Sequence, residues 1–173
     1  MAMKKIKKTY KNTTRLTLIL ILLSLTLVLS GCSGVGKGSE APDFTLADLD
    51  GNNITLLDLR DKNVYLNFWA SWCDPCKDEM PDIEKIHQEY LDKDLIVLTI
   101  NTGEDKETVT KFMEEGGYSF PVLLDLNLDV AREYNTSNIP VSFFLDKEGK
   151  VIEKKEGLMS GTEMRKAIEL LSK

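Results

Sequence analysis

The fold of this chain is decided by the stretch Phe68-Trp69-Ala70-Ser71-Trp72-Cys73-Asp74-Pro75-Cys76-Lys77, in which two thiols follow the end of an apolar run. Residues 64–68 predict a buried strand and residues 78–90 predict a helix, so the cysteines lie at a strand-to-helix turn. A helix N-terminus presents free backbone N–H groups and the positive end of the helix dipole, which favour an anion. A thiol at Cys73 is therefore expected to ionise more readily than a free cysteine, and the thiolate is the reactive form.

The spacing of Cys73 and Cys76 places both sulfurs on one helical turn, where they can close a disulfide and reopen it by exchange. A purely structural disulfide across so short a loop gains little, because disulfide stabilisation grows with the length of chain enclosed. A zinc site needs further Cys or His ligands, and the chain offers only His87 and the distant Cys32. We therefore interpret the pair as a redox-active Cys73–Cys76 disulfide, and we expect no metal and no cofactor.

The start of the chain has the composition of a signal peptide, with basic residues followed by an apolar run over residues 16–29. A helix over this run measures about 21 Å, shorter than the roughly 30 Å hydrocarbon core of a bilayer, which disfavours a permanent membrane-spanning helix. Leu29-Ser30-Gly31-Cys32 resembles the lipobox of bacterial lipoproteins, in which the cysteine becomes the lipidated first residue, carrying fatty acids such as palmitate. The alternative is a plain secretory signal with an incidental cysteine.

Three segments follow from this interpretation: a lipoprotein signal peptide at residues 1–31, the lipidated Cys32 with a flexible Gly/Ser-rich linker at residues 32–40, and one domain at residues 41–173. Six of the 22 Lys and Arg residues lie in the signal region, whereas all 28 Asp and Glu residues lie beyond it. The mature chain is therefore more acidic than the whole chain, whose net charge is −6. Such a surface argues against nucleic acid and against adhesion to anionic lipid head groups, so lipid rather than charge is expected to hold the protein at the membrane. We expect a monomer.

Beyond the linker, the pattern of apolar residues predicts an α/β fold. The expected elements are a hairpin within residues 41–56, strands at 64–68, 95–100, 141–145 and 151–155, an extended stretch at 120–124, and helices at 78–90, 104–115, 130–134 and 162–171, the last capped by Thr162. This order implies a mixed sheet between helices, with the hairpin as an N-terminal extension.

The cysteine motif, together with Glu79-Met80-Pro81 and Ile139-Pro140, resembles the thioredoxin superfamily over residues 41–173. Within it, the chain resembles the membrane-tethered or lipoprotein thiol-disulfide oxidoreductases of the TlpA/ResA kind. The resemblance implies a thioredoxin-like mixed β-sheet flanked by helices. It also implies a cis proline at Pro140 against the disulfide, with Ile139 offering backbone groups to an extended substrate. Cys73 is expected to be the attacking sulfur and Cys76 the resolving sulfur.

Two glutamates also match the family. Cytoplasmic thioredoxins carry a buried aspartate six residues before the first cysteine, where this chain has Asn67, and an amide cannot transfer a proton as that aspartate does. TlpA/ResA-like proteins instead carry a glutamate matched by Glu79, and a second one bordering the site matched by Glu104. The resemblance implies catalytic roles for both, and the alternative for each is a solvated surface charge. Trp72 is predicted to belong to the docking surface, because an indole gives a large contact area with little entropy to lose.

Asp74 and Pro75 supply no cation to hold a thiolate, whereas strong oxidants of the superfamily work because their reduced form is stabilised. We therefore predict a protein-disulfide reductase outside the cytoplasm, anchored to the bacterial cell membrane by lipid on Cys32. The resemblance implies recharging by a membrane thiol-electron transporter. It leaves open the client, for example apocytochrome c in cytochrome c maturation, a methionine sulfoxide reductase or a spore-envelope protein. The alternatives are a copper-delivery module of the same fold and a peroxiredoxin-like thiol peroxidase. Residues 41–46 resemble the opening of peroxiredoxins, but the threonine-to-cysteine pattern of the peroxiredoxin active site is missing from this chain.

Overall fold

The computed structural model describes residues 34–172 of the chain. The predicted signal peptide at residues 1–31 and the predicted lipidation site Cys32 lie outside the described residues. Within residues 34–172, no helix is both long and apolar enough to cross a membrane.

Within the described residues 34–172, seven strands form two sheets. They are β1 (Thr45–Ala47), β2 (Asn53–Thr55), β3 (Asn63–Trp69), β4 (Leu95–Thr102), β5 (Val122–Asp125), β6 (Val141–Leu145) and β7 (Val151–Glu156). The first two pair as an antiparallel hairpin. The other five form one sheet in the order β5-β4-β3-β6-β7, in which β4 runs parallel to β3 and β5 while β6 runs antiparallel to β3 and β7. The predicted mixed sheet and its N-terminal hairpin are confirmed.

Four helices accompany the sheet. They are α1 (Asp74–Tyr90), α2 (Lys106–Gly116), α3 (Asp129–Glu133) and α4 (Gly161–Glu169). Short 3₁₀ turns lie at Leu56–Leu59 and Leu170–Ser172.

The central strand β3 is buried on both faces of the sheet. Successive side chains of a strand point to opposite faces. Tyr65 and Trp69 therefore belong to a core with α1, α2 and α4, whereas Leu66 and Phe68 belong to a second core with α3 and the N-terminal segment. This double burial explains the continuous apolar run in the sequence, and it fixes the end of β3 from which the cysteines emerge.

Helix α1 begins earlier than the sequence predicted. It starts at Asp74 rather than at residue 78, because Cys73 serves as its N-cap and Pro75 fits the first turn, where no N–H is required. The cysteine pair is therefore part of the helix start itself.

The other two long helices also start elsewhere than predicted. Asp105 caps α2 by accepting a hydrogen bond from the backbone N–H of Thr108 at 2.8 Å, so the helix excludes Glu104. Ser160 rather than Thr162 caps α4, because Ser160 and Glu163 form a reciprocal capping box. In both cases a better capping residue lay within two positions of the predicted start.

The prediction of a flexible linker at residues 32–40 is wrong for the part that the structure describes. The backbone N–H of Gly38 donates to the carbonyl of Val151 at 2.8 Å, and the N–H of Val151 donates to the carbonyl of Ser39 at 2.9 Å. Val35 is buried in the core shared with α3. Residues 34–40 therefore belong to the folded domain, because a segment of linker-like composition can still pair through its backbone with the edge strand β7.

A chain that starts at Ala41 is predicted to be less stable than one that starts at Gly34. It loses the backbone pairing with β7 and the burial of Val35, together about 2 kcal/mol of unfolding free energy once the entropy of ordering the segment is subtracted. Urea unfolding of the two oxidised chains measures the difference. Lys37→Ala is the control, because the exposed Lys37–Glu153 ion pair contributes little. Equal transition midpoints for the two lengths would restore the linker interpretation.

Candidate active site

Cys73 and Cys76 form a disulfide at the N-terminus of α1, with their Cα atoms 5.2 Å apart. The two sulfurs differ in accessibility, since Cys73 is 6% exposed and Cys76 is fully buried. The backbone N–H of Cys76 points at the Cys73 sulfur, with nitrogen and sulfur 3.3 Å apart. Cys73 is therefore the more accessible of the two sulfurs, and the helix start supplies a donor that favours negative charge on it.

The loop before β6 faces the disulfide. The Cys73 sulfur lies 3.7 Å from the carbonyl oxygen of Ile139, and the Ile139–Pro140 peptide bond is cis. Pro140 is buried, while Ile139 is half-buried. The structure thus brings the predicted Ile139–Pro140 loop to the Cys73 sulfur, from a position more than 60 residues away in the chain.

A groove of about 560 Å³ adjoins this loop, between the turn at Trp72 and helix α3. Its apolar walls include Trp72, which is 68% exposed, Leu128, which is 41% exposed, and Ile139. Trp72 and Ile139 are predicted from the sequence, whereas Leu128 is not; it adopts a left-handed backbone with φ of 61° just before α3. Nothing in the residue type signals that position, because leucine rarely adopts it.

Glu79 is buried one helical turn beyond Cys76, with only 1% of its surface exposed. Its carboxylate accepts hydrogen bonds from the Asn67 side-chain amide at 2.7 Å and from the backbone N–H of Met159 at 3.1 Å. Burial raises the pKa of Glu79 to about 7, and these two hydrogen bonds oppose the rise. Glu79 is therefore a core residue poised to exchange a proton near neutral pH, and the surface-charge alternative is excluded.

Glu104 is half-buried in the turn after β4, and its carboxylate holds the loop that precedes the cysteines. It accepts hydrogen bonds from the backbone N–H and the hydroxyl of Ser71, and from the side-chain amide of Asn101 at 2.7 Å. Ser71 lies two residues before Cys73. Among the described residues, the hydrogen bonds of Glu104 go to this loop and to β4 and none goes to a cysteine.

The charge beside the disulfide is balanced by a residue that the sequence analysis had not considered. Lys77 forms an exposed ion pair with Asp74, which lowers the pKa of the aspartate. The lysine thus neutralises the acid between the cysteines, and its ammonium is engaged by Asp74. Within residues 34–172, no group of three or more His, Cys, Asp or Glu side chains is arranged to hold a metal ion.

A disulfide at the N-terminus of a helix, a facing cis-proline loop and a central mixed sheet define the class of thioredoxin-fold proteins that exchange thiols and disulfides. Comparison with known proteins agrees. The sequence model of the Redoxin family matches residues 36–170, and the chain belongs to that family.

The relatives of this chain carry the names of thiol-disulfide oxidoreductases. ResA of Bacillus subtilis (strain 168) is 36% identical over 161 residues, which are 91% of this chain and 90% of that protein. ResA of Geobacillus thermodenitrificans (strain NG80-2) is 36% identical over 170 residues, 96% of this chain and 98% of that protein. A crystal structure named as the thiol:disulfide interchange protein DsbE of Chlorobium tepidum has a TM-score of 0.74 at 30% identity and covers 80% of this chain and 99% of that chain.

Fold, disulfide and relatives together identify this protein as a protein-disulfide oxidoreductase of the ResA-like kind. The names of the relatives favour disulfide exchange over the peroxidase and copper-delivery alternatives.

Glu79→Gln is predicted to weaken the pH dependence of stability. Native Glu79 keeps its proton up to about pH 7, whereas an ordinary glutamate in the unfolded chain loses it near pH 4.5. The native state binds more protons between these values, so the free energy of unfolding falls as pH rises through the window and levels off above it. Glutamine does not titrate. The free energy of unfolding should therefore fall by about 3 kcal/mol less in the variant than in the wild type over this pH range.

Urea unfolding of the oxidised proteins between pH 4.5 and 8 measures the decline. Asp78→Asn is the control, because it removes an exposed carboxylate from the same helix. An equal decline in wild type and Glu79→Gln would contradict the raised pKa.

Proposed function

We propose that this protein reduces disulfide bonds of client proteins outside the cytoplasm. The observation that best supports disulfide exchange with a client is the unequal burial of the two sulfurs, with Cys73 at the cis-proline loop and Cys76 fully buried. A client disulfide can approach the first sulfur, and the second can act only on the mixed disulfide that results.

The reaction proceeds by two exchanges at sulfur. The Cys73 thiolate attacks one sulfur of the client disulfide, forming a mixed disulfide and releasing the other client sulfur as a thiolate. The Cys76 thiolate then attacks Cys73, closing the Cys73–Cys76 disulfide and releasing the second client thiolate. Two electrons pass to the client. The oxidised protein must then be recharged, which we assign to a membrane thiol-electron transporter.

Glu79 is proposed as the base that takes the proton of Cys76 before the second exchange. A fully buried thiol has no direct access to solvent, and Glu79 is a buried titratable group on the next turn of the same helix. Its pKa of about 7 suits a group that accepts and returns a proton near neutral pH. Because two negative charges so close together are unfavourable, the thiol and the carboxyl should titrate as a coupled pair.

Glu104 and the apolar residues around Cys73 are proposed to position the reactants. Glu104 fixes Ser71, and thereby the approach of the chain to Cys73. Trp72 offers an exposed indole beside the attacking sulfur, and Ile139 presents its backbone carbonyl there, while Pro140 holds the loop. An extended client segment can thus lie across Trp72 and Ile139.

The direction of electron flow predicts the reduction potential. Lys77 is paired with Asp74, so its ammonium is not free to stabilise the thiolate. The Cys73–Cys76 couple should therefore lie at or below about −230 mV, closer to thioredoxin than to the strong oxidants. Equilibration with glutathione or dithiothreitol buffers measures it. A value above about −180 mV, that of protein disulfide isomerase, would reverse the assignment and make the protein an oxidant.

Glu79→Gln should slow client reduction by roughly 10- to 100-fold, at the lower end of what a single general base contributes. Insulin reduction and iodoacetamide alkylation are followed against pH for wild type, the variant and the control Asp78→Asn. Disulfide formation and folding should be unaffected. Superimposed curves for wild type and Glu79→Gln would show that water or Glu104 carries the proton instead.

The client is proposed to be a secreted or membrane-bound protein with a disulfide in an accessible, extended segment. Apocytochrome c, as in cytochrome c maturation, fits this description, and so do a methionine sulfoxide reductase and a spore-envelope protein. Cys76→Ser stops the reaction at the mixed disulfide, so purification of the trapped complex followed by mass spectrometry identifies the client.

The protein is proposed to be a lipoprotein that is anchored through Cys32 after removal of residues 1–31. Cys32→Ala should therefore prevent both lipidation and cleavage at this site, while Ser33→Ala should allow both. Fractionation of membranes and mass spectrometry of the mature N-terminus provide the test. A mature chain that begins at any residue other than Cys32 would contradict the anchor.

A further inference from the structure

Asn67 contacts the carboxylate of Glu79 from the central strand. It is fully buried, and in the sheet it lies opposite Ser142 of β6. Its Nδ2 donates to Glu79 Oε1 at 2.7 Å and to the Ser142 hydroxyl oxygen at 3.1 Å. Among the described residues, no donor reaches the other end of the amide, Oδ1. The side chain is therefore engaged through its N–H side alone, and that side faces the carboxylate.

Both oxygens of Glu79 face hydrogen-bond donors. Oε1 accepts from Asn67, and Oε2 accepts from the backbone N–H of Met159. Donors stabilise the charged form of a carboxyl group, whereas burial destabilises it. Of the two donors, the Met159 N–H belongs to the backbone and is the same for any side chain at that position. The Asn67 amide is the donor that the sequence can change.

The surroundings contribute little other charge. Tyr65 on β3 is the phenol nearest to this pair, and burial raises its pKa far above neutral, so it stays uncharged. Its hydroxyl shares a hydrogen bond with Ser142, whose hydroxyl oxygen also accepts from Nδ2 of Asn67. On α1, Asp82 is engaged by Lys85 and by the backbone N–H of Gly161. The redox-active Cys76 lies one turn before Glu79 on the same helix, and both side chains are buried.

We propose that Asn67 is a positioning residue that favours the ionised form of Glu79, the form that can accept a proton, by donating its amide N–H to the buried carboxylate. The proposal gives a chemical role to the position where cytoplasmic thioredoxins carry an acid. Asn67 does not transfer the proton itself; it sets the pH at which Glu79 does. The effect on catalysis rests on the function proposed for Glu79, but the effect on its titration does not.

The test is a ¹³C NMR titration of the Glu79 carboxyl in the oxidised domain from residue 34, which forms one compact unit. In Asn67→Leu, the loss of a hydrogen bond to a charged group should raise the pKa of Glu79 by about one to two units. In Asn67→Asp, which keeps the shape of the side chain, the shift should be larger, because two adjacent carboxyls then share one proton. The second variant also provides the measurement if Asn67→Leu fails to fold.

The matched control is Asn101→Leu. Asn101 is equally buried on the neighbouring strand and donates to a different carboxylate, Glu104, at the same 2.7 Å. It should leave the titration of Glu79 unchanged. If Glu79 titrates at the wild-type pH in both Asn67 variants, or shifts as much in Asn101→Leu, the proposal is overturned.

The pH profile of client reduction separates this proposal from the function on which it rests. If the rising limb moves to higher pH together with the pKa of Glu79, both stand. If the pKa moves and the rate profile does not, Asn67 still controls Glu79, but Glu79 is not the base. If the pKa does not move, the role of Asn67 is disproved, whatever the rates show.

Discussion

The burial of β3 on both faces is the constraint on which the rest of this structure depends. A strand held between two cores cannot shift in register without moving every side chain to the wrong face, so its end is fixed in space. The cysteines leave from that end, and α1 begins there with Cys73 as its cap. The position of the site thus comes from the packing of β3, and the site itself can keep an accessible Cys73 and an exposed Trp72.

The same burial creates the chemistry of Glu79. A carboxyl group on the buried face of α1 loses the solvation of its charged form. The hydrogen bonds from Asn67 and Met159 replace only part of that lost solvation. The result is a pKa of about 7 instead of the usual 4.5. A group of this kind reduces stability at neutral pH, and a leucine in its place would pack without that penalty. The presence of a titratable group next to the fully buried Cys76 is therefore easier to explain by proton transfer than by folding.

Much of the fold could be predicted from the sequence because its signals are local. The apolar run of β3, the cysteine spacing and the turn of the β6–β7 hairpin each lie within a few residues. What the sequence did not predict depends on contacts between distant segments or on competition between neighbours. Asp105 caps α2, so Glu104 lies outside the helix and accepts a hydrogen bond from Ser71. The contact of Asn67 with Glu79, and the packing of residues 34–40 on β7, require the folded sheet before they can be seen.

The candidate site is assembled from three such distant segments, and each contacts a different part of it. Glu104, after β4, fixes the loop before Cys73 through Ser71. The Ile139–Pro140 loop, before β6, places a carbonyl oxygen beside the Cys73 sulfur. The loop before α4 donates the Met159 N–H to Glu79, behind Cys76. A carbonyl beside a sulfur disfavours negative charge on it, whereas the helix N–H groups favour it, so the balance at Cys73 depends on how closely these segments are held. That balance is set by the sheet, which is why residues remote from the cysteines in the chain belong to the chemistry of the site.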